Sequence, residues 1–369
     1  MDVLMIVSND VVHDSRVLKE ARALQEAGIH VTIIVWDRSG TLAHREERDS
    51  LEIHRVRTDG AMRIVPKDLF RTPLWWRRAY RLARSIPFDV VHCHDLDTLP
   101  IGVRLKRATG RPLVYDAHEV FGYMIEKDVP RAVVDYTFRL ERRYAPQADR
   151  IIAVTDGVKA YVDAASGRNA VVVRNCHELL SDGYRPPPGP PFTVIYVGTL
   201  HISRFILQAI EVVGDMPDVR LVLGGSKKLT PIVRAMCAEH PNTPFLGLLP
   251  NERVLPLTVE SHAVLAMSDP DLRISKVGLS NKMFEAMVTG RPSIVTEGMP
   301  MGEIVTREEC GLAVPYTKEG FRSAVESLRD DPALAERLGR NALAAAKREY
   351  NWGAEKAKLL AIYEDFGRP

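Results

Sequence analysis

Short, fully apolar runs that alternate with helical segments constrain this chain more than any other feature. Val3 to Val7 is the first such run, and a helical pattern follows it, with Ser15 in front and Gly28 behind. A second apolar run, Val31 to Trp36, comes next. A parallel strand buried on both faces reads as a continuous apolar run, and strand, helix and strand within about 35 residues form the unit of a doubly wound sheet. The chain is therefore predicted to be an α/β protein.

The alternation continues in two blocks that a proline-rich segment separates. The segment from Tyr184 to Pro191 cannot enter a helix or a central strand, so it is predicted to be a semi-rigid linker. We place the domain boundary there, with an N-terminal domain over 1–185, a C-terminal domain over 186–350 and a final helix over 351–369 that crosses back to the first domain. A length of 369 residues fits two such domains. The further predicted strands are Leu51–Val56, Val90–His92, Pro112–Tyr115, Arg150–Val154 and Val171–Val173 before the linker, and Thr193–Val197, Arg220–Leu223, Phe245–Leu246, Ala263–Ala266, Ser293–Val295 and Leu312–Val314 after it.

Composition excludes several classes of protein. The formal net charge of +2 gives no global field of the kind that marks a nucleic-acid binder, so no nucleic-acid partner is expected. The four cysteines are far apart and form no CxxC pair, which argues against a disulfide framework or zinc site and favours the cytoplasm. No apolar stretch is long enough to span a membrane, and the first apolar run is too short for a signal peptide.

The stretch from Leu279 to Val295 carries the strongest chemical signal of the second half. It is typical of a loop, a short helix, a glycine cap and a buried strand. Lys282 and Glu285 lie three residues apart and so share a helix face. A carboxylate near a helix start can accept hydrogen bonds from two ribose hydroxyls, and a lysine beside it can hold phosphate charge. Taken alone, a surface ion pair of little energetic value is the simpler interpretation.

Several motifs, in their order and spacing, resemble family 4 glycosyltransferases of the GT-B fold. The stretch from Lys282 to Pro292 resembles the variant K-x-x-E-x-M-x-x-G-x-P of their nucleotide-sugar site. The other motifs, which extend the resemblance over nearly the whole chain, are Val197–Leu200 with Arg204, Leu223–Gly225, Phe245–Pro250 and Gly311–Pro315. The resemblance implies two doubly wound, Rossmann-like domains that face a central cleft. It also implies a retaining transfer of a hexosyl or N-acetylhexosaminyl group to a glycan or lipid-linked acceptor.

The resemblance also assigns donor-site roles. Glu285 would bind the ribose of a UDP- or GDP-sugar, and Arg204 and Lys282 would act as catalytic cations on its diphosphate. Fixed cations stabilise the charge that builds on a leaving diphosphate, so neither a metal ion nor any other cofactor is expected. The predicted donor-binding residues are Gly198, Thr199, Gly224, Lys227, Leu249, Ser280, Asn281 and Glu285. Two positions depart from the family pattern, since many members have Glu where Val277 stands and Arg where Thr199 stands.

In the first half, His118 matches the family histidine that faces the donor sugar. Its role would be to orient and polarise a sugar hydroxyl, with a neutral or a charged ring equally open. The acceptor-side residues are predicted to be Asn9, Asp14, Arg16 and Asp95. For the turn before the first helix, contact of Arg16 with acceptor or phosphate and simple N-capping by Asp14 or Ser15 are equally open.

A metal site near the predicted strand Val90–His92 is possible but not favoured. Asp95 and Asp97 have the spacing of an Asp-x-Asp metal motif, which we interpret as the polar end of a strand. His92 and His94 are zinc-ligand types, but we expect them to point to opposite faces of the strand and so not to share one ion.

Residues 63–84 interleave basic and aromatic side chains. This pattern suits an anionic membrane surface, so peripheral docking at the inner face of the membrane is one hypothesis. An ordinary amphipathic helix that packs Trp75 and Trp76 on the core is the alternative.

Two other functions fit the same fold. A nucleotide-sugar epimerase would need carboxylates in the cleft and would act without an acceptor. A catalytically silent subunit that binds a partner transferase is favoured by Val277 and Thr199, whereas intact Glu285, Arg204 and Lys282 argue against it.

Overall fold

The computed structural model describes residues 1–12, 14–58, 71–180 and 183–367. The chain divides into two compact units. Unit 1 comprises Met1–Arg174 and Lys356–Pro369, and unit 2 comprises Asn175–Glu355.

The division at Arg174 precedes the boundary that the prolines predicted at 185. The reason lies in the contacts of Tyr184 and Arg185. The Tyr184 ring lies near two guanidinium groups of unit 2, at 5.7 Å from Arg291 and 4.7 Å from Arg340. The Arg185 carbonyl accepts a hydrogen bond of 2.8 Å from Arg291. These contacts bind the chain ahead of the prolines to unit 2.

Unit 1 is built on a sheet that has eight strands within the described residues. Its strands are β1 (Asp2–Ile6), β2 (His30–Trp36), β3 (Arg45–Arg48), β4 (Leu51–Val56), β5 (Val90–His94), β6 (Leu113–Ala117), β7 (Arg150–Ala153) and β8 (Val171–Val172). Its helices are α1 (Ser15–Glu26), α2 (Arg71–Ala83), α3 (Leu99–Thr109), α4 (Phe121–Ile125), α5 (Arg131–Tyr144) and α6 (Asp156–Ser166). The strand order is β3-β4-β2-β1-β5-β6-β7-β8, and only the β3–β4 pair of these described strands is antiparallel.

Unit 2 is built on a sheet with five described strands, all parallel, in the order β10-β9-β11-β12-β13. The strands are β9 (Phe192–Val197), β10 (Val219–Gly224), β11 (Ala263–Leu265), β12 (Ser293–Thr296) and β13 (Gly311–Val314). The helices are α7 (Ile206–Gly214), α8 (Thr230–Glu239), α9 (Val254–Val259), α10 (Asn281–Thr289), α11 (Pro300–Arg307), α12 (Lys318–Asp330), α13 (Pro332–Arg348) and α14 (Trp352–Gly367), of which α14 continues into unit 1.

Apolar runs and polar caps explain why these elements form where they do. Strands β1 and β2 are buried along almost their whole length, as continuous apolar runs in a parallel sheet should be. Helix α1 begins at an N-cap, Asp14, whose side chain accepts a hydrogen bond of 3.1 Å from the Val17 amide. Helix α10 begins at the cap Ser280 and ends at Gly290, which has the left-handed conformation, φ +66°. The prediction of two parallel-sheet α/β domains is confirmed.

One strand prediction was wrong, and one strand was missed. Phe245 and Leu246 form no strand, and Phe245 makes an isolated bridge to Leu223. Strand β3 was missed, because its sequence Arg-Glu-Glu-Arg has no apolar residue to signal it. A short charged strand is typical of a sheet edge, where it discourages pairing with other chains.

The structure decides how the tryptophans of α2 are used. Trp75 is fully buried and stacks on Trp36, with ring centroids 5.2 Å apart. The Trp76 ring nitrogen donates a hydrogen bond of 2.6 Å to the Asp97 carbonyl. The alternative interpretation, a helix that packs its tryptophans on the core, therefore holds for Trp75, whereas peripheral membrane docking stays a prediction. Residues 63–70 of that segment lie outside the described residues. Among the described residues, no helix has the length and apolar character to cross a bilayer.

Candidate functional site

In unit 2, the predicted donor residues surround the carboxyl ends of β9 and β10. The Gly198 amide donates a hydrogen bond of 3.0 Å to the Gly224 carbonyl, so the two strand ends touch through their backbones. A Cβ atom at Gly225 would lie 1.8 Å from the Gly198 carbonyl oxygen. A Cβ atom at Gly224 would lie 2.9 Å from a methyl group of Leu249. The glycines therefore allow a close approach of loops that side chains would prevent.

Lys282 and Glu285 form an ion pair beside this approach. The Lys282 Nζ atom lies 2.6 and 2.7 Å from the two carboxylate oxygens of Glu285. Their side chains are only 12% and 7% exposed, so the interpretation as a surface ion pair does not hold. A Cβ atom at Gly198 would lie 3.0 Å from Lys282 Cε, which places this glycine against the lysine stem. The structure thus brings together three of the predicted donor residues.

The helix start also includes Ser280 and Asn281. The Ser280 hydroxyl accepts a hydrogen bond of 3.3 Å from the Lys282 amide. Asn281 is exposed, and its side-chain oxygen accepts a hydrogen bond of 3.3 Å from Asn175. Capping by Ser280 fixes the first turn of α10, from which Lys282 projects.

Arg204 is held by a fixed hydroxyl. Its guanidinium donates a hydrogen bond of 2.9 Å to the Ser268 hydroxyl. Ser268 is anchored in turn by Thr296, whose hydroxyl donates to the Ser268 carbonyl over 2.8 Å. A second anchored cation therefore lies at the end of this sheet.

Tyr196 joins this site and was not identified from the sequence. Its hydroxyl donates a hydrogen bond of 2.6 Å to the carbonyl of Thr199. Burial raises the pKa of Tyr196 to about 12, while the positive charge of Arg204 opposes the shift and the negative charge of Glu285 adds to it. Arg204 and Glu285 thus both act on one phenol. The signal in the sequence was a tyrosine within a buried strand, since its hydroxyl must find a partner there.

Two other predicted donor residues, Thr199 and Lys227, are exposed. The Lys227 amide donates a hydrogen bond of 3.0 Å to the Thr230 hydroxyl at the start of α8. The donor-binding roles of Thr199 and Lys227 stay predictions. Val277, which departs from the family pattern, follows a short 3-10 turn, Arg273–Lys276, ahead of α10.

In unit 1, His118 lies between two carboxylates just beyond the end of β6. Its Nε2 atom lies 2.8 Å from Asp116 Oδ2, and its Nδ1 atom lies 3.2 Å from Asp95 Oδ2. Its backbone amide donates a further hydrogen bond of 3.2 Å to Asp95. Burial acts to lower the pKa of His118, but Asp95 and Asp116 outweigh it and hold the pKa well above the usual histidine range. Both ring nitrogens are thus occupied by partners within the chain.

Arg16 forms a bidentate ion pair with Asp116. Its guanidinium donates two hydrogen bonds, of 3.0 and 2.8 Å, to the two oxygens of Asp116. A third bond of 2.9 Å reaches the Val173 carbonyl, and Glu20 Oε1 lies 3.0 Å away. Arg16 is only 5% exposed, so its guanidinium group lies inside the protein. Contact with an acceptor stays a prediction.

Asn9 and Asp14 are linked to each other. The Asn9 amide group donates a hydrogen bond of 2.8 Å to Asp14, whose other oxygen caps α1. The capping role that the sequence left open for Asp14 is therefore present. An acceptor role for either residue stays a prediction.

The expectation that His92 and His94 face opposite sides of their strand was wrong. Their rings stack at a centroid distance of 4.2 Å. Successive side chains of a strand alternate between faces, so residues two apart share a face. His92 Nδ1 lies 2.6 Å from the hydroxyl of Tyr363, and His94 Nδ1 lies 3.2 Å from Asp116.

This shared face creates a group of metal-ligating residue types. Candidate ligand atoms of Glu20, His92, His94 and Asp116 all lie within 4.8 Å of one another, and all four residues are buried. The Arg16 guanidinium already lies within 3.0 Å of both carboxylates. Because a fixed cation already pairs with these oxygens, we assign no metal ion to the group.

Asp95 is the more exposed carboxylate of the His118 pair. Its side chain is 28% exposed, and its backbone is in the left-handed region at φ +63°. Backbone conformations of this kind in residues other than glycine store strain and cluster at functional sites. Burial and, to a smaller extent, the nearby charge of Asp95 together raise the pKa of Asp97 to about 6.

Two family models match the chain. Residues 15–179 match the model described as Glycosyltransferase Family 4, and residues 191–331 match the model described as Glycosyl transferases group 1. Together they span most of the chain, and the proline-rich segment lies between them.

Individual proteins are similar over most or all of the chain. A glycogen synthase of Mycobacterium tuberculosis is 23% identical over 293 residues, which cover 76% of this chain and 69% of that protein. The solved structure of sucrose-phosphate synthase from Thermosynechococcus elongatus matches with a TM-score of 0.82 at 18% identity, covering 99% of both chains. Anabaena HepE, solved in complex with UDP and glucose, matches with a TM-score of 0.72 at 14% identity and covers 99% of this chain and 100% of its own. These structural matches confirm the predicted GT-B fold.

Proposed function

Because the chain belongs to the family 4 glycosyltransferases, we propose that it transfers a sugar from a nucleoside diphosphate donor to a hydroxyl group of a glycan or lipid-linked acceptor. In this proposal the transfer retains the anomeric configuration and needs no metal ion. The transferred group is a hexosyl or N-acetylhexosaminyl group. UDP-sugars are the first donors to test, since the structural neighbour HepE was solved with UDP and glucose, and GDP-sugars are the second.

The observation that carries the proposal is the ion pair of Lys282 and Glu285 beside Gly198. A carboxylate that already accepts from a lysine retains lone pairs for two ribose hydroxyls. The lysine and Arg204 provide fixed positive charge for a diphosphate, whose negative charge grows as the sugar departs. Gly198 and Gly225 let the two strand ends and the Lys282 side chain approach one another more closely than larger residues would allow.

The acceptor side is assigned to unit 1 in this proposal. His118, with Asp95 beside it, is the group we expect to act on the transferred sugar or its acceptor. Within residues 71–84, the exposed arginines are available to contact an anionic surface at the inner face of the membrane: Arg77, Arg78, Arg81 and Arg84.

Calorimetric titration with UDP and with GDP, in EDTA, tests the donor site. We expect one nucleotide to bind, Glu285→Gln to weaken binding about tenfold through loss of charged hydrogen bonds, and Arg204→Met to do likewise. Arg220→Met is the matched control, since it removes an exposed cation from β10 of the same unit. Equal affinity in all four proteins, or no binding to the wild type, would contradict the proposal.

Stereochemistry and metal use have their own measurement. Proton NMR of UDP-glucose with the enzyme, in EDTA and without acceptor, identifies the anomer of glucose first released. Retention predicts the α-anomer before mutarotation. First release of the β-anomer, or a requirement for added Mg²⁺, would overturn that part of the proposal.

Neither alternative function gains support from the comparisons, because both matching family models describe glycosyltransferases. An epimerase would return a changed nucleotide-sugar in the same NMR experiment. A silent subunit would leave the donor unchanged.

A further inference from the structure

The two carboxylates at His118 determine how many protons its ring must carry. Asp116 accepts at Nε2 over 2.8 Å, and Asp95 lies 3.2 Å from Nδ1. Ionised carboxylates only accept hydrogen bonds, and a neutral imidazole has only one N–H to donate. Both contacts are satisfied together only when both ring nitrogens carry a proton.

Asp116 is held in its ionised form from the opposite side. Arg16 donates to both of its oxygens in the paired geometry that is specific for carboxylate recognition. Burial opposes the ionised form, but Arg16 and His118 hold the pKa of Asp116 well below its usual range. A proton shared between His118 and Asp116 therefore stays on the histidine.

The described groups that face His118 from neighbouring elements carry an excess of negative charge. Asp14 caps α1, and Glu20 lies on that helix. His94 and Asp95 lie at the end of β5, and Asp116 lies on β6. Arg16 is the guanidinium among them. Burial raises the pKa of Glu20, so it is not counted here, and the three carboxylates of Asp14, Asp95 and Asp116 around one guanidinium favour a second positive charge on His118.

We propose that His118 serves glycosyl transfer as a fixed imidazolium, and that Asp116 and Asp95 are positioning residues that hold its charge and its ring. The inference rests on the proposed function and deepens it. His118 then neither gives nor takes a proton during turnover. With both N–H groups occupied, it acts on negatively charged or hydroxyl oxygens of the substrate through its charge. This replaces the open choice between a neutral and a charged ring.

The protonation state is measured without substrate. Long-range proton–nitrogen NMR of protein labelled with ¹⁵N-histidine reports both ring nitrogens, and His118→Gln assigns the signal. We expect a doubly protonated ring at about pH 8, where an ordinary histidine of pKa about 6.5 is neutral. Asp95→Asn and Asp116→Asn each lower the midpoint by about 1–3 pH units, the effect of losing one opposite charge. A neutral wild-type ring at about pH 7 would overturn the inference.

The pH profile of UDP release from UDP-glucose, with no acceptor added, measures the functional part. Wild-type kcat is expected to vary by about twofold at most between pH 6 and 8.5, because the ring stays charged throughout. In Asp95→Asn, kcat falls about tenfold as pH rises across that range, because activity is lost as the lowered pKa is passed. Asp135→Asn, an exposed carboxylate on α5, is the control and keeps the wild-type profile.

The outcomes separate the two proposals. If the wild type binds neither UDP nor GDP, the proposed function fails and the inference fails with it. If the wild type is active and Asp95→Asn keeps a flat profile, only the inference fails. Asp95 is partly exposed, so its variant stays informative even if Asp116→Asn proves unstable.

Discussion

At the scale of single residues, unit 1 contains a group of buried charges that pair with one another. Arg16 is paired with Asp116 and Glu20 where water is excluded. Removing one member of such a group leaves the others charged and without compensation, which costs about 3–5 kcal/mol. Single substitutions here should therefore affect folding as strongly as loss of a core side chain.

We predict that Arg16→Met lowers the free energy of unfolding of unit 1 by about 3 kcal/mol or more, because it leaves two buried carboxyl groups without their cation. Arg22→Met is the matched control on the same helix. Its ion pair with Asp49 is exposed, at 47% and 58%, so the change should be within about 1 kcal/mol. Urea unfolding followed by circular dichroism compares the two variants. Similar losses in both would contradict the assignment of a buried role to Arg16.

Asp37 predicts how stability responds to acid. Its carboxylate accepts hydrogen bonds from Ser39, Arg57, and the amides of Gly40 and Leu42. Burial opposes ionisation, but these bonds lower the pKa of Asp37 to about 2 from the ordinary 3.8. A carboxyl group with a depressed folded pKa adds stability above its unfolded pKa, and that stability is lost as pH falls through the folded pKa.

The expected result is a decline in unfolding free energy from about pH 4 towards pH 2, part of which disappears in Asp37→Asn. The variant should be less stable than the wild type at neutral pH and converge on it in acid. Asp135→Asn should follow the wild-type curve, since that carboxylate is exposed. Parallel curves for Asp37→Asn and the wild type would show that Asp37 does not carry this dependence.

At the scale of elements, the ends of β9 and β10 are joined by a contact that only glycine allows. Gly225→Ala would place a methyl group 1.8 Å from the Gly198 carbonyl oxygen, so one loop must move. We expect this variant to lose UDP binding by about tenfold or more and to unfold more readily, because overpacking of this kind costs about 1–3 kcal/mol.

Gly298→Ala is the control for backbone strain. Gly298, in the same unit, is left-handed, at φ +67°, and an added Cβ atom there meets nothing within 4 Å. Its cost should be limited to the strain of about 1–2 kcal/mol, with UDP affinity retained. Calorimetry and thermal unfolding measure both variants. Equal loss of UDP affinity in the two would show that strain, not loop contact, controls the site.

At the scale of the whole molecule, the last residues of the chain complete the first unit. Leu359, Ile362 and Tyr363 are buried, and the Tyr363 hydroxyl lies 2.6 Å from His92 Nδ1 on β5. Burial of each such side chain contributes about 1.5–3 kcal/mol. The stability of unit 1 therefore depends on a segment that follows unit 2 in the chain.

We predict that removing residues 356–369 destabilises unit 1 selectively. Hydrogen–deuterium exchange should become faster in peptides from β5, where His92 loses its buried partner Tyr363, and stay unchanged in peptides from β9 and β10. Tyr363→Phe is the milder control, since it removes only the hydroxyl. Equal acceleration in both units would contradict the assignment of this segment to unit 1.

The sequence by itself determined the architecture and much of the donor site. Continuous apolar runs identified nearly every buried strand, because a strand covered on both faces needs apolar side chains throughout. The spacing of Lys282 and Glu285 predicted a shared face, because the period of a helix fixes which neighbours meet. Strand β3 was missed because a charged edge strand carries no such pattern.

Only the tertiary structure decided what those residues touch. Arg16 and Asp116 are 100 residues apart in the chain, and the order of strands in the sheet brings them together. The His118 ring carries two protons because it contacts carboxylates at the ends of two different strands. The Tyr196 hydroxyl has a partner because it donates a hydrogen bond to the Thr199 carbonyl at a turn. Local patterns report local geometry, whereas charge and hydrogen-bond partners depend on contacts between distant segments, which strand order and burial determine.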